Sequence, residues 1–119
     1  MIKNTLIDNT PGGITQPKKV FEATATTAIT TMVVCNHGDP DLSDETINSA
    51  TINIYVVPKA DAGIASSKHL IVSKLIVPAG ESVFFSDEKL ILEDDDAVWV
   101  GASQTDPAIV SVTVSALLV

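Results

Sequence analysis

The sequence has few of the residues that support catalysis, cross-linking or phosphate binding. Its 119 residues include one cysteine, two histidines and seven basic residues. The single Cys35 excludes an internal disulfide, and the scattered basic residues form no stripe for phosphate groups. Apolar runs stop at four or five residues, too short for a transmembrane helix, and no signal segment follows Met1. We therefore predict a chain folded in a reducing cytosol that binds neither nucleic acid nor membrane.

What the sequence does contain favours one folded domain rich in β-structure. Hydrophobic residues make up 45% of the chain, which is enough to bury a core. Valine, isoleucine and threonine are abundant, and their branched side chains suit a pleated sheet. The formal net charge of −8 favours solubility or docking against a basic partner surface.

Residues 1–18 are predicted to form an irregular N-terminal arm. Thr10–Gly13 and Gln16–Pro17 interrupt regular structure twice within eight residues. Thr5–Asp8 could pair as a short edge strand. The arm is either a frayed terminus or a segment that orders against a neighbouring subunit.

Residues 19–119 are predicted to form a single antiparallel β-sandwich. Short alternating runs are separated by turn signals, with none of the ten-residue helices that a parallel sheet would need. A long polar loop spans Asn36–Asn48, and Ala60–Ser67 is interpreted as loop or a single turn. The all-β pattern leaves immunoglobulin-like and jelly-roll strand orders both open. The predicted strands are Lys19–Thr27, Ala28–Cys35, Ala50–Val57, His69–Val77, Ser82–Ser86, Leu90–Leu92, Ala97–Ala102 and a last strand through Val110, Val112 and Val114.

The stretch Pro78–Val100 gathers aromatic and acidic residues but is interpreted as scaffold. It holds three short apolar runs separated by two polar breaks, which indicates strand, turn, strand, turn, strand. The side chains expected to fill one end of the core are Phe84 or Phe85, Leu90, Leu92, Val98 and Val100.

Two acidic runs are weak candidates for calcium. The first supplies Asp39, Asp41 and Asp44, but its spacing is not that of an EF-hand, because Asp44 stands where that loop needs glycine. The second run is a calcium candidate only if it meets this loop in space. We expect both to be solvated loops and no cofactor or metal to be bound. The second run supplies Asp94, Asp95 and Asp96.

Other chemistry has less support. Cys35, His37 and His69 lack the second ligand pair of a structural zinc site, so we expect a buried thiol and surface histidines. There is no Gly-x-Ser-x-Gly and no glycine-rich loop that opens a helix. We therefore expect a protein that is not an enzyme.

Interface residues are expected in the arm and at the tryptophan. Trp99 lies opposite Val98 and Val100 in the alternation, so it is either a core aromatic or an interface anchor. The candidate interface residues are Ile2, Leu6, Ile7, Ile14 and Trp99.

Four segments resemble a group of small virion structural proteins of tailed bacteriophages, notably cyanophages. The similarity covers residues 19–119. Members often carry glycine in the turn after the last Glu, whereas this chain has Asp94–Asp96, so we expect no residue at positive φ there. The segments are Val33–Asn36, Thr51–Pro58, His69–Val72 with Ile76–Gly80, and Glu88–Glu93 with the acids that follow.

The resemblance implies a non-catalytic virion component, assembled in the host cytoplasm. It would decorate or cement the capsid, with the major capsid protein as its first expected partner and a homo-oligomer as its expected state. A neck, tail or baseplate component is the alternative within the virion. A free carbohydrate- or protein-binding β-sandwich is the alternative outside it.

Overall fold

A computed structural model describes residues 1–8, 14, 16–61, 65–86, 89–103 and 108–119. Two antiparallel sheets pack against each other, which confirms the all-β sandwich. Lys59–Asp61 and Ser67–His69 form short 3-10 turns. The strands are β1 (Ile2–Leu6), β2 (Lys18–Glu22), β3 (Thr27–Asn36), β4 (Ala50–Val57), β5 (Leu70–Val77), β6 (Ser82–Phe85), β7 (Leu90–Leu92), β8 (Ala97–Ala102) and β9 (Val110–Leu118).

The strand order is that of a jelly roll. The first sheet runs β1-β9-β3-β6, with β7 also pairing with β3, and the second sheet runs β2-β8-β4-β5. Strands pair in nested fashion: β4 with β5, β3 with β6 and β7, β2 with β8, and β1 with β9. Such a long hairpin wrapped into two Greek keys distinguishes the jelly roll from the immunoglobulin-like order.

Alternate residues of the central strands fill the space between the sheets. Because side chains of a strand point to opposite faces in turn, the branched residues on one side of each strand meet in the core. Completely buried residues come from β4, β8 and β9 alike: Ile52, Ile54, Val98, Val100, Val110 and Val112. Of the expected core side chains in Pro78–Val100, Phe85 and Leu90 pack at the core margin and Phe84 is exposed.

The first part of the predicted arm is an edge strand of the sandwich. The strand spans Ile2–Leu6 instead of Thr5–Asp8 and lies antiparallel to β9. The Ile7 backbone N–H donates to the carbonyl of Val110 at 2.8 Å, and the Ile7 side chain is buried in the core. Most of the predicted chain break, at residues 9–13 and 15, lies outside the described residues.

Ile14 lies against the outer face of the second sheet. The Tyr55 hydroxyl, on β4, donates to the backbone carbonyl of Ile14 at 3.3 Å. The same carbonyl oxygen lies where a side chain at Gly101 would be, 2.4 Å from an added Cβ. Only glycine lets this segment approach β8 so closely.

The acidic turn after β7 contains a residue at positive φ, so the expectation of none is wrong. Asp95 has φ = 70°. The turn is closed by the Asp95 N–H donating to the Ala23 carbonyl at 2.7 Å and the Asp96 N–H donating to Glu93 at 3.0 Å. Aspartate tolerates the left-handed conformation better than most residues, so the turn forms without the glycine found in the resembling proteins.

Candidate interaction surface

The outward residues of the strands of the first sheet carry no charge. Two exposed charged residues, Lys89 and Glu93, lie just outside this set, two positions before and after Ile91. Directly opposed residues of an antiparallel pair point to the same side, so strand register identifies the residues that face away from the core. Their composition contrasts with a chain whose formal net charge is −8. We call this surface the charge-free face. It consists of Ile2, Asn4 and Leu6 of β1, Ser111, Thr113, Ser115 and Leu117 of β9, Ala28, Thr31, Val33 and Cys35 of β3, Ser82 and Phe84 of β6, and Ile91 of β7.

The charge-free face has high edges and a low centre. Ile2 on β1, Phe84 on β6 and Ile91 on β7 are 71%, 67% and 59% exposed. Between them, the outward residues of β9 are serines and threonine as far as Ser115. Large apolar side chains beside a trough of small ones, without charges, match the composition of the buried centre of protein interfaces.

An apolar groove opens between the two sheets along β5. It has a volume of about 290 Å³. It lies where the edge strand of the second sheet faces the divided edge formed by β6 and β7. All of its lining side chains are apolar, so it suits an apolar side chain or ligand. The lining residues are Ile29, Met32, Ile71, Val72, Phe85 and Leu90.

The opposite side of the sandwich, between β1 and β2, is bridged by a lysine. The Lys18 ammonium donates to Asp8 Oδ1 at 2.6 Å and to the Leu6 carbonyl at 3.2 Å. The hydrogen bond from Lys18, with its charge, lowers the pKa of Asp8. This side therefore presents a polar bridge where the β5 side presents an apolar groove.

The first acidic run folds its carboxylates onto its own backbone. Asp41 accepts hydrogen bonds from the hydroxyl and N–H of Ser43, and Asp44 accepts the same pair from Thr46. These hydrogen bonds lower the pKa of both carboxyls, and the bond from the hydroxyl has the larger effect in each case. Asp39 is exposed. The carboxylates already have donors, as expected of Asx turns.

The second acidic run lies at the other end of β4, so the two runs do not meet. The first loop leads into Ala50, whereas Asp96 accepts the N–H of Lys59, just beyond Val57, at 2.9 Å. Eight residues of strand separate the ends by about 26 Å. Asp94 and Asp95 are exposed, and Asp95 lies 3.6 Å from the Lys59 ammonium. Within the described ranges no three acidic, histidine or cysteine residues form a metal cluster.

His69 is buried, so the expectation of two surface histidines is wrong for this one. Its Nδ1 accepts the Ser66 N–H at 3.0 Å, which leaves the proton on Nε2, 3.0 Å from Asp61 Oδ2. The Ser66 hydroxyl is 3.4 Å from the same Nδ1. Because that nitrogen already accepts a backbone N–H, it is poorly placed to take a proton from the hydroxyl. The histidine packs the turn before β5, and the 3-residue spacing from Ser66 was the available sequence signal.

The zinc candidates do not come together. His37 is exposed, and Cys35 is only half-buried, contrary to the expected buried thiol. Both are near the end of β3, where the Asn36 amide reaches the carbonyl of Asn48 just before β4. His69 lies beside the far end of β4, because Leu70 pairs with Tyr55.

The predicted interface residues divide between surface and interior. Ile2 and Leu6 lie on the charge-free face, whereas Ile7 is in the core of its own chain. Ile14 lies against the second sheet. Trp99 is half-buried, with the Lys19 ammonium 5.4 Å from its ring centroid. Its Nε1 is buried and has no acceptor among the residues that the structure describes.

Comparisons with known proteins assign no family. The sequence matches no protein-family model, and no curated protein matches it. No helix in the described part of the chain is long and apolar enough to cross a membrane. The resemblance to phage virion proteins stays a prediction, and the surfaces above rest on the geometry of this chain.

Proposed function

We propose that this chain is a non-catalytic structural protein of a tailed-bacteriophage virion that assembles through its charge-free face. In this proposal it decorates or cements the capsid, with the major capsid protein as partner. One observation carries the proposal. In an acidic chain, none of the outward-facing residues of β1, β9, β3, β6 and β7 is charged.

The apolar residues of the charge-free face are numerous enough to drive association. Full burial of one large aliphatic or aromatic side chain contributes about 1.5–3 kcal/mol. Association itself costs roughly 4–15 kcal/mol in lost freedom of motion. Several such side chains must therefore be buried together, and five are exposed on this face: Ile2, Leu6, Phe84, Ile91 and Leu117.

The jelly-roll order supports the proposal by analogy. Jelly rolls recur in viral capsid proteins, but also in lectins and cupins. A fold alone does not assign a function, so this argument is secondary to the surface. The occupied Nδ1 of His69 is a further supporting observation, because it argues against a Ser66–His69–Asp61 nucleophilic triad.

The groove along β5 favours a second candidate, a free protein-binding β-sandwich. Its wholly apolar lining suits a hydrophobic side chain of a partner. A sugar would need convergent hydrogen-bonding groups, so the groove does not favour the carbohydrate-binding alternative.

Mass spectrometry of purified phage particles tests the proposal. A copy number set by icosahedral symmetry is expected for capsid decoration, and three, six or twelve copies would place the chain at the neck or tail. Heads and tails separated by density gradient supply the matched comparison. Absence of the chain from intact particles overturns the proposed function and leaves the protein-binding candidate.

A further inference from the structure

We infer that the charge-free face joins two copies of this chain, face to face, around a twofold axis. This inference rests on the proposed function, which treats that face as an assembly surface. It adds the identity of the occupant of that face: a second copy of the chain, so that the capsid protein would contact other surfaces of the dimer.

The distribution of charge favours a second copy. A twofold interface brings the same patch of both copies together, so a charge near the axis would meet its like. No outward residue of β1, β9, β3, β6 or β7 is charged, and the Lys89 ammonium beside β7 is already engaged by the backbone carbonyls of Thr30 and Ser86. A basic partner would need acidic residues on the same surface to steer and hold it, and this surface offers none. In the acidic turn after β7, the Asp95 N–H donates to the Ala23 carbonyl and Asp96 accepts the Lys59 N–H, whereas Glu93 is exposed at the margin of the face, two positions after Ile91.

The shape of the charge-free face suits packing against the same face of a second copy. Phe84 pairs with Val33, and Val33 pairs on its other side with Thr113, so a large side chain stands beside two smaller ones in one row. A twofold axis near β3 places Phe84 of each copy over the small residues of the other. Large side chains fitted over small ones give the close packing of stable interfaces.

The area of the face approaches what a stable dimer buries. Nine residues of β9 at about 3.3 Å each give a length of about 30 Å, and four strand positions give a width of about 19 Å. Projecting side chains add to the area of this flat footprint, which is of the same order as the roughly 800 Å² that each partner buries in a standard interface.

Sedimentation equilibrium of the full chain tests the inference with matched variants. The wild type is expected at twice the chain mass of 12.5 kDa. Phe84→Glu would bury an unpaired charge against the small residues of the other copy, so the dimer dissociation constant should rise at least tenfold. Ile76→Glu is the control, because Ile76 is 65% exposed but lies on the second sheet, and it should leave the dimer unchanged. Urea unfolding verifies that both variants are folded, and Ile91→Glu replaces Phe84→Glu if that variant does not fold.

Cys35 provides an independent readout within the wild-type chain. It is the only cysteine and lies on the charge-free face between Ser82 and Ser111. Alkylation of its thiol should be at least tenfold slower in the dimer than in the Phe84→Glu monomer. Equal alkylation rates in the two proteins would count against the covered face.

The two proposals fail differently. A wild type that is monomeric throughout the micromolar range, or a Phe84→Glu dimer of unchanged affinity, overturns the inference. A monomer that is nevertheless found in phage particles leaves the proposed function standing. A dimer that is absent from particles overturns the proposed function and retains the dimer contact.

Discussion

Asn36 is the polar residue on which the loops at one end of the sandwich converge. It is completely buried at the end of β3. Its amide donates to the carbonyls of Asn48 at 2.8 Å and Val77 at 2.9 Å, and its Oδ1 accepts the Gly38 N–H at 2.9 Å. One side chain thus joins the loop after β3, the entry to β4 and the end of β5.

Replacing Asn36 by aspartate should destabilise the fold by about 3 kcal/mol or more. The added carboxylate oxygen would face two carbonyl oxygens in a buried site, where an unpaired polar or charged group carries a large desolvation cost. Urea unfolding of Asn36→Asp at neutral pH measures the loss. Asn48→Asp is the control, because the hydrogen bond from the Asn48 side-chain amide to the Asp39 carbonyl is exposed. This substitution should lower the free energy of unfolding by less than about 1 kcal/mol. Equal losses would refute the central role of Asn36.

The Asp61 and His69 pair should make stability depend on pH in acid. The hydrogen bond from His69, followed by the nearby positive charge of Lys68, lowers the pKa of Asp61. A carboxyl whose pKa is lower in the folded state stabilises above its unfolded value, near 3.9, and this contribution disappears as pH falls through the folded pKa. The free energies of unfolding of the wild type and Asp61→Asn should therefore converge as the pH falls below the folded-state pKa of Asp61.

Two measurements test this pH dependence. NMR titration of the Asp61 carboxyl reports its pKa directly, and urea unfolding from neutral pH to acid follows the difference between wild type and Asp61→Asn. Asp94→Asn, at an exposed position in the turn after β7, serves as the control. A difference for Asp61→Asn that stays constant down to the lowest accessible pH would contradict the assignment.

At the level of elements, β1 is an integral strand of the first sheet. It pairs along its whole length with β9, and the residue after it, Ile7, is 1% exposed. Removing this segment would therefore uncover the edge of β9 as well as any interface. Truncation of the N-terminus cannot by itself separate a role in assembly from a role in stability.

A pair of point substitutions separates the two roles. Ile7→Ala should reduce the free energy of unfolding by about 2–4 kcal/mol, because it leaves a cavity in the core. Leu6→Ala should reduce it by less than about 1 kcal/mol, because Leu6 is 43% exposed on the charge-free face. Denaturant titration of both variants at a concentration that keeps the chain monomeric makes the comparison. Similar losses would mean that β1 packs differently.

The strands that the sequence pattern predicted best have a buried face and a clear stop. Ala50–Val57 has the predicted bounds because Ile52 and Ile54 alternate with polar residues and Pro58 ends the run. β1 was misplaced because its pattern is inverted, with Ile2 and Leu6 pointing outward and Lys3 towards the inner side at the sheet edge. An alternation rule that assumes apolar residues point inward cannot identify such a strand.

The candidate surface could not be predicted, because it depends on which strands become neighbours. Phe84 and Thr113 are far apart in the sequence, and only the position of β3 between β6 and β9 brings them into one row. Similarly, the sequence places Ile14 among the candidate interface residues and leaves Trp99 as either a core aromatic or an interface anchor, whereas their contacts within the same chain over the second sheet depend on the fold. Local patterns determined the strand types, and long-range pairing determined the surface.

At the scale of the whole molecule, the acidic loops and the charge-free face belong to different elements, although Leu42 and Ile47 are exposed within the first acidic loop. The molecule measures 46 × 25 × 19 Å. The two acidic loops lie at opposite ends of β4, whereas the charge-free face covers the first sheet. A dimer formed through that face would therefore leave both acidic loops of each copy accessible to a basic partner.

The nested pairing also sets the order in which the chain is expected to fold. Loop-closure entropy grows with the length of chain between two strands, so β4 and β5 should pair first and β1 and β9, which join Ile2 to Ser115, last. Such topologies typically refold in milliseconds to seconds. Stopped-flow φ-values should then be higher for substitutions in β4 than for Ile7→Ala; the reverse order would show that the outermost pair nucleates the fold. Until that last pair closes, the transient state exposes the edge of β9, which makes the slowest step of folding also the step most open to misassembly.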